Sequence, residues 1–298
     1  MLIACMLAPA DWRKLYPFAS QTLDLDGQQY HYVDEGEGKP ILFVHGNPTW
    51  SFYWRNLITA FRGTHRTLAV DHIGCGLSDK PQNYEYTLEQ HIENLTRFLE
   101  RLELKNVTLA VHDWGGAIGL GAAVRQPERF ERLILFNTGA FPPPYVPYRI
   151  AACRFPVLGN AAMRGLNLFA RAAVTMATEK PERMTPEVKA GLLAPYDNWA
   201  NRVAIARFVQ DIPLSTKHPT YATLKHIEQH LPDLENKPIQ MIWGAKDWCF
   251  TTECLQRFQT YWPQAESHVF ADCGHYVVED AHERIVPLVE SFLQRTAV

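Results

Sequence analysis

Leu109-Ala110-Val111-His112-Asp113-Trp114-Gly115-Gly116 carries more structural information than any other stretch of the chain. The near-continuous apolar run Val107–Val111 reads as a buried strand, and Gly115–Val124 has the apolar spacing of a helix. A strand that passes straight into a helix through nucleophile-x-Gly-Gly is the geometry of a nucleophile elbow. Its sharp turn lifts one side chain above the C-terminal edge of a sheet. Small residues there let the helix approach neighbouring strands. Asp113 holds the lifted position, and Val111 stands where such elbows usually carry a first Gly. A plainer reading makes Asp113 an N-cap of the helix.

The flanking segments repeat the strand–helix alternation. Thr22–Leu25 and Tyr30–Val33 flank Asp26-Gly27, a hairpin turn signal, and Ile41–Val44 is a third strand. Leu68–Val70 reads as a strand, Leu88–Leu102 as a helix and Leu133–Phe136 as another buried strand. All-apolar strands alternating with helices predict a parallel sheet covered on both faces. Phe141-Pro142-Pro143-Pro144-Tyr145 breaks this rhythm, because consecutive prolines exclude helix. From there to about Leu231 the chain offers helical segments such as Leu166–Met176 and Trp199–Val209, and no strand. Ile239–Trp243, Glu253–Tyr261, Glu266–Val269 and Ile285–Leu293 then resume as strand, helix, strand and helix. The expected organisation is a core from residues 1–140 and 231–298, with a helical cap inserted at 141–230.

A chain of 298 residues, 47% of them hydrophobic, buries a sizeable core and is not a disordered polymer. With 29 Lys+Arg against 32 Asp+Glu, the net charge of −3 gives no electrostatic footprint for nucleic acid or an anionic membrane. Six cysteines form no C-x-x-C pair, so reduced thiols in a cytoplasmic compartment are expected. Met1–Ala8 is apolar but short and lacks a basic start, so it does not read as a signal peptide. No later run reaches the ~18 apolar residues of a membrane span, and a soluble protein is expected. Asp71-His72-Ile73-Gly74-Cys75-Gly76-Leu77-Ser78 lacks the third Gly of a dinucleotide site and reads as a structural loop. Neither a cofactor nor a metal is expected.

Three further motifs fall at strand ends. His45-Gly46-Asn47-Pro48 follows the third strand, Trp243-Gly244-Ala245-Lys246-Asp247 closes the seventh, and Ala271-Asp272-Cys273-Gly274-His275 follows the last. The order Asp113…Asp247…His275 is the nucleophile…acid…His order of α/β-hydrolases. HGNPTW, DHIGCGLSDKP, HDWGG, WGAKD and CGH together resemble the haloalkane dehalogenases. That resemblance implies the α/β-hydrolase fold: a mostly parallel eight-stranded sheet, helices on both faces and an inserted helical cap. One group of the family carries Glu after the sixth strand. This chain has Phe136-Asn137-Thr138 there, which leaves Asp247 as the acid. The set Asp113, His275, Asp247, Asn47 and Trp114 resembles the third dehalogenase subfamily. The β-lactone decarboxylases of bacterial long-chain olefin synthesis are also closely similar, and the motifs do not separate the two activities.

Aspartate suits attack on an sp³ carbon because it is already ionised near neutral pH and needs no activating base. By this resemblance Asp113 displaces a halide and becomes an alkyl ester. His275, oriented by Asp247, then activates the water that attacks the ester carbonyl. Backbone N–H groups of Asn47 and Trp114 would form the oxyanion hole, while the Trp114 indole N–H and the Asn47 amide would bind the halide. The plainer roles are a core aromatic for Trp114, a turn former for Asn47 and a helix cap for Asp247. His45 and His112 read as structural loop residues. The cap is expected to close an apolar pocket, with Phe141, Phe155, Phe169, Trp199 and Phe208 available to line it. Hydrolytic dehalogenation is therefore the expected function, with β-lactone decarboxylation at the same aspartate as the alternative. Asn47-Pro48-Thr49 argues against an epoxide hydrolase, whose corresponding loop usually carries an aromatic and Pro-Glu. The intact triad argues against a non-enzymatic ligand sensor on the same fold. The expected partners are a small apolar halogenated or lactone substrate and a halide product, without nucleic acid. A homo-oligomer is left open.

Overall fold

Alternation of side chains along each strand builds two cores on one sheet. In β3 (Pro40–Val44), Leu42 and Val44 pack on one face while Ile41 and Phe43 pack on the other. The computed structural model describes residues 11–296, so the reading of Met1–Ala8 and the thiol of Cys5 lie outside the described residues. The other strands are β1 (Ser20–Leu25), β2 (Gln28–Glu35), β4 (Arg66–Val70), β5 (Val107–Asp113), β6 (Phe130–Thr138), β7 (Ile239–Gly244) and β8 (Glu266–Phe270). They form one eight-stranded sheet in the order β1-β2-β4-β3-β5-β6-β7-β8. The β1–β2 and β2–β4 pairs are antiparallel and the remainder parallel. Asp26 and Gly27, with φ of 55° and 84°, close the β1–β2 hairpin as their identities require. Every residue of β5 is buried, the pattern of a strand covered on both faces.

Helices α1 (Arg55–Phe61), α2 (Leu88–Arg101) and α3 (Trp114–Arg125) belong to the first half of the chain. Thr87 caps α2 by accepting from the Gln90 N–H, and Leu88, Ile92, Leu95, Phe98 and Leu99 form its buried stripe. Each such side chain contributes roughly 1.5–3 kcal/mol on burial. Between β6 and β7 there is no strand. That segment holds α4 (Tyr148–Ala152), α5 (Pro156–Asn160), a π-helical turn (Ala161–Gly165), α6 (Leu168–Met176), α7 (Pro186–Leu193), α8 (Val203–Asp211) and α9 (Pro219–His230). Leu224 and Ile227 of α9 sit in the same core as α2 and α3, so this helix lies against the sheet layer. The chain closes with α10 (Thr252–Tyr261) and α11 (Val277–Arg295).

Two differences from the sequence reading have clear causes. The closing helix starts at Val277, well before Ile285, and bends at Ala281, whose φ is −148°. Its first turn holds Glu279 and Asp280, both buried. Glu279 pairs with Arg55, and Asp280 accepts from Thr178, from the backbone N–H of Glu179 and from that of Gly274. His112 lies within β5 and not on a loop. Among the described residues no helix is long and apolar enough to cross a membrane, and the five cysteines are free thiols.

Candidate active site

The elbow forms because β5 ends at Asp113 and α3 starts at Trp114 with no residue between them. Asp113 takes φ 55° and ψ −130°, a conformation that L-residues rarely adopt. Close packing explains the neighbouring glycines: a Cβ on Gly115 would overlap the Val44 carbonyl, and one on Gly46 would overlap the Asp113 carboxylate. The side chain of Asp113 does not cap α3. Its Oδ1 accepts from the Asn47 backbone N–H at 2.6 Å, and the Trp114 N–H also supports the carboxylate. Both backbone donors expected for an oxyanion hole thus already face one carboxylate.

His275 and Asp247 meet this group at the sheet edge. His275 Nε2 lies 3.5 Å from Asp113 Oδ2, and its Nδ1 lies 2.8 Å from Asp247 Oδ2. Asp247 is not the cap of α10, whose N-cap is Thr251. Its Oδ1 accepts from the Cys249 and Phe250 N–H groups at 2.7 and 3.1 Å. Burial alone would pull the His275 pKa down, but Asp247 and Asp113 on either side raise it to about 10. Burial likewise opposes ionisation of Asp113. The His275 hydrogen bond and charge outweigh it and hold the carboxyl below its usual range. Each charge of this buried pair thus favours the ionised form of the other.

Trp114 is half-buried, 5.6 Å from the Phe208 ring, and its indole N–H makes no hydrogen bond within the protein among the described residues. Asn47 donates one amide hydrogen to the Ile205 carbonyl at 3.3 Å and precedes a cis peptide to Pro48. Both residues line the cavity over Asp113. Burial and the nearby His275 charge push the His112 pKa down to about 3, so its neutral ring donates from Nε2 to the His275 carbonyl. His45 Nε2 accepts from the His72 backbone N–H. Neither ring reaches the reacting edge of Asp113.

Asn137 is the contributor that sequence reasoning passed over. Strand pairing sets His112 opposite Phe136 and Asp113 opposite Thr138, so Asn137 is the extra residue of a bulge. Its Nδ2 donates to Asp247 Oδ2 at 3.0 Å and to the Gly244 carbonyl at 3.1 Å. No local signal announces a contact across 110 positions. The Phe250 ring stacks on His275 at 5.8 Å and supplies an apolar wall.

Two apolar cavities, of about 140 and 260 Å³, converge on Asp113 and share Asn47, Ile150, Phe169 and Cys249 in their walls. The smaller runs past Trp114, Phe141 and Leu224, the larger past Met163, Ala172 and Trp248. Of the aromatics expected to line a pocket, Phe141 and Phe169 do so. Phe155 and Trp199 are exposed, and Phe208 is buried behind Trp114.

The chain belongs to the α/β-hydrolase fold family, whose model matches residues 39–281. It is 42% identical over 288 residues to the cis-3-alkyl-4-alkyloxetan-2-one decarboxylase of Shewanella oneidensis, covering 95% of this chain and 90% of that protein. It is 32% identical over 284 residues to haloalkane dehalogenase 2 of Mycobacterium bovis, covering 94% and 96%. Among solved structures, haloalkane dehalogenase DatA from Agrobacterium tumefaciens C58 matches with a TM-score of 0.81 at 29% identity, covering 94% of this chain and 97% of that one.

Proposed function

We propose that this chain decarboxylates cis-3,4-dialkyl β-lactones through a covalent ester on Asp113. The observation that carries this reading is the pair of apolar cavities meeting at one carboxylate. A lactone with alkyl chains on adjacent ring carbons needs two arms that diverge from the reacting centre, whereas a simple haloalkane needs one. The similarity to the Shewanella oneidensis oxetanone decarboxylase supports the same choice. Helices α4 to α8 act as the lid that excludes water from both arms.

In this reading an Asp113 oxygen attacks the ring carbon that bears oxygen. The C–O bond of the ring breaks, and its electrons pass to a carboxylate on the adjacent carbon. Trp114 and Asn47 donate to that new anion. The bond to the carboxylate carbon then breaks, its electrons form the C=C bond, and the ester oxygen departs to restore Asp113. The products are CO₂ and alkene, and no water is consumed. Inversion at the attacked carbon followed by anti elimination turns a cis lactone into a cis alkene. Negative charge stays beside His275 throughout, so the imidazole remains a cation held by Asp247 and does not act as a base toward water.

The test is turnover of a long-chain cis-3,4-dialkyl oxetan-2-one in heavy-oxygen water. Equal amounts of CO₂ and cis alkene are expected, with no label in the Asp113 peptide. A folded chain that gives neither product refutes the proposal. A second reading, hydrolytic dehalogenation, is favoured by the uncommitted Trp114 indole N–H over the cavity and by the haloalkane dehalogenase relatives. It requires halide release from 1,2-dibromoethane or 1-bromohexane and label in Asp113. Trp114→Phe would slow that release ~10²-fold.

A further inference from the structure

The balanced charge of the whole chain hides a one-sided segment. Between Arg132 and Glu179 there is no Asp or Glu, but Arg149, Arg154, Arg164 and Arg171 all fall there. None of the four meets a carboxylate in an ion pair among the described residues; half-buried Arg154 donates to the Val209 and Ile212 carbonyls and half-buried Arg164 to the Trp199 carbonyl and Gln82, whereas Arg149 and Arg171 are exposed. The same segment exposes large apolar side chains. Tyr148, Phe155, Val157 and Leu158 are 76%, 64%, 79% and 75% exposed, and Leu166 and Leu168 are exposed with them. They follow one another along α4, α5 and the start of α6, whose π-helical turn packs against both α5 and α6. Scattered exposed leucines need no explanation, but a concentrated apolar face does.

We propose that this face docks on an anionic lipid bilayer, with the apolar side chains inserted and Arg149 and Arg171 at the headgroups. Exposed apolar side chains interleaved with cations that meet no carboxylate are the composition of an interfacial, monotopic surface. A second copy of the chain suits it poorly. A two-fold pair would bring the same cationic patch of both copies into one interface, with no carboxylate of the segment to answer it. The face is also continuous with the cavities: Tyr145 lines the smaller, and Arg149, Leu168 and Met176 line the larger, while all four are exposed. An apolar substrate dissolved in a membrane would pass into the cavities without crossing water.

The full chain is sedimented with vesicles of phosphatidylcholine containing phosphatidylglycerol, and with phosphatidylcholine alone. Partition at least tenfold stronger into the anionic vesicles is expected, weakening as salt rises. The combined variant Phe155→Ser, Val157→Ser, Leu158→Ser should lose at least tenfold in partition. Arg171→Glu should lose more than the roughly fivefold gain that one basic residue contributes near such a surface. If the triple variant does not give the parent melting curve, Arg171→Glu alone carries the test. Failure of the parent to bind anionic vesicles overturns the proposal, as does binding that these variants leave unchanged. A stable dimer that the triple variant dissolves also overturns it, because a second copy then covers the face. The readout is binding, so it stands apart from which electrophile Asp113 attacks.

Discussion

Because Asp113 and Asp247 flank His275 from opposite sides, the protonation state of the imidazole depends on the charge of both. Against the opposing effect of burial, the two carboxylates raise the His275 pKa from its ordinary 6.5 to about 10. The stability it contributes is thus complete below pH 6.5 and is lost as pH rises toward 10. Relative to His275→Gln, the melting temperature should decline across that window, and a constant difference would mean that the ring is not held as a cation. Alkylation removes the Asp113 charge and one of the two anions. Any alkyl ester trapped there by a bromoalkane should therefore hydrolyse with an apparent pKa below 10, read by mass spectrometry of the Asp113 peptide against pH. The strained elbow allows a second test. Asp113→Gly and Asp113→Ala both delete the carboxylate and should both abolish turnover, but only Gly relaxes at φ 55°. Urea denaturation should find the Gly variant more stable by about 1 kcal/mol or more.

At the scale of elements, the bulge in β6 and the helices between β6 and β7 shape the site. The bulge turns Asn137 toward Asp247, which then keeps two backbone donors, one amide donor and His275 around its carboxylate. The two cavities share Ile150 of α4 and Phe169 of α6 but diverge beyond them: Ala172 of α6 lines only the larger, and Ile212, just after α8, lines only the smaller. If each arm takes one alkyl chain, Ala172→Phe and Ile212→Phe should shorten the chain tolerated at different ring carbons. The measurement is kcat/KM for two lactones, one with its long chain on the carbonyl side and one with it on the oxygen side. Each variant should lose about tenfold or more on one isomer and little on the other, the scale of one or two methylenes failing to fit. Equal losses on both isomers from both variants would mean that the substrate does not divide between the arms.

Across the whole molecule, a buried ion pair ties the first helix to the last. Arg55 Nη2 donates to Glu279 Oε2 at 2.7 Å, and the guanidinium lies 4.3 Å from the centre of the Phe52 ring. Removing one partner leaves a buried charge unpaired, so Arg55→Met should cost ~3–5 kcal/mol in chemical denaturation. Replacing both residues by apolar ones should recover much of that loss, and a double variant as unstable as the single would mean the pair acts through some other contact. Much of the fold was readable in advance, because strand periodicity, the Asp26-Gly27 turn and the Asp113-Trp114-Gly115-Gly116 elbow are each encoded within a few neighbouring residues. The order Asp113, Asp247, His275 was readable for the same reason: each stands at the end of a recognisable strand. Other features were not. The Asn137–Asp247 bond, the Arg55–Glu279 pair and the two cavities arise from segments 100 or more positions apart, and no local pattern records which of these meet. The exposed face of residues 148–168 was hidden for a related reason. An apolar residue on a short helix reads alike whether packing covers it or leaves it bare, and only the neighbouring helices determine which.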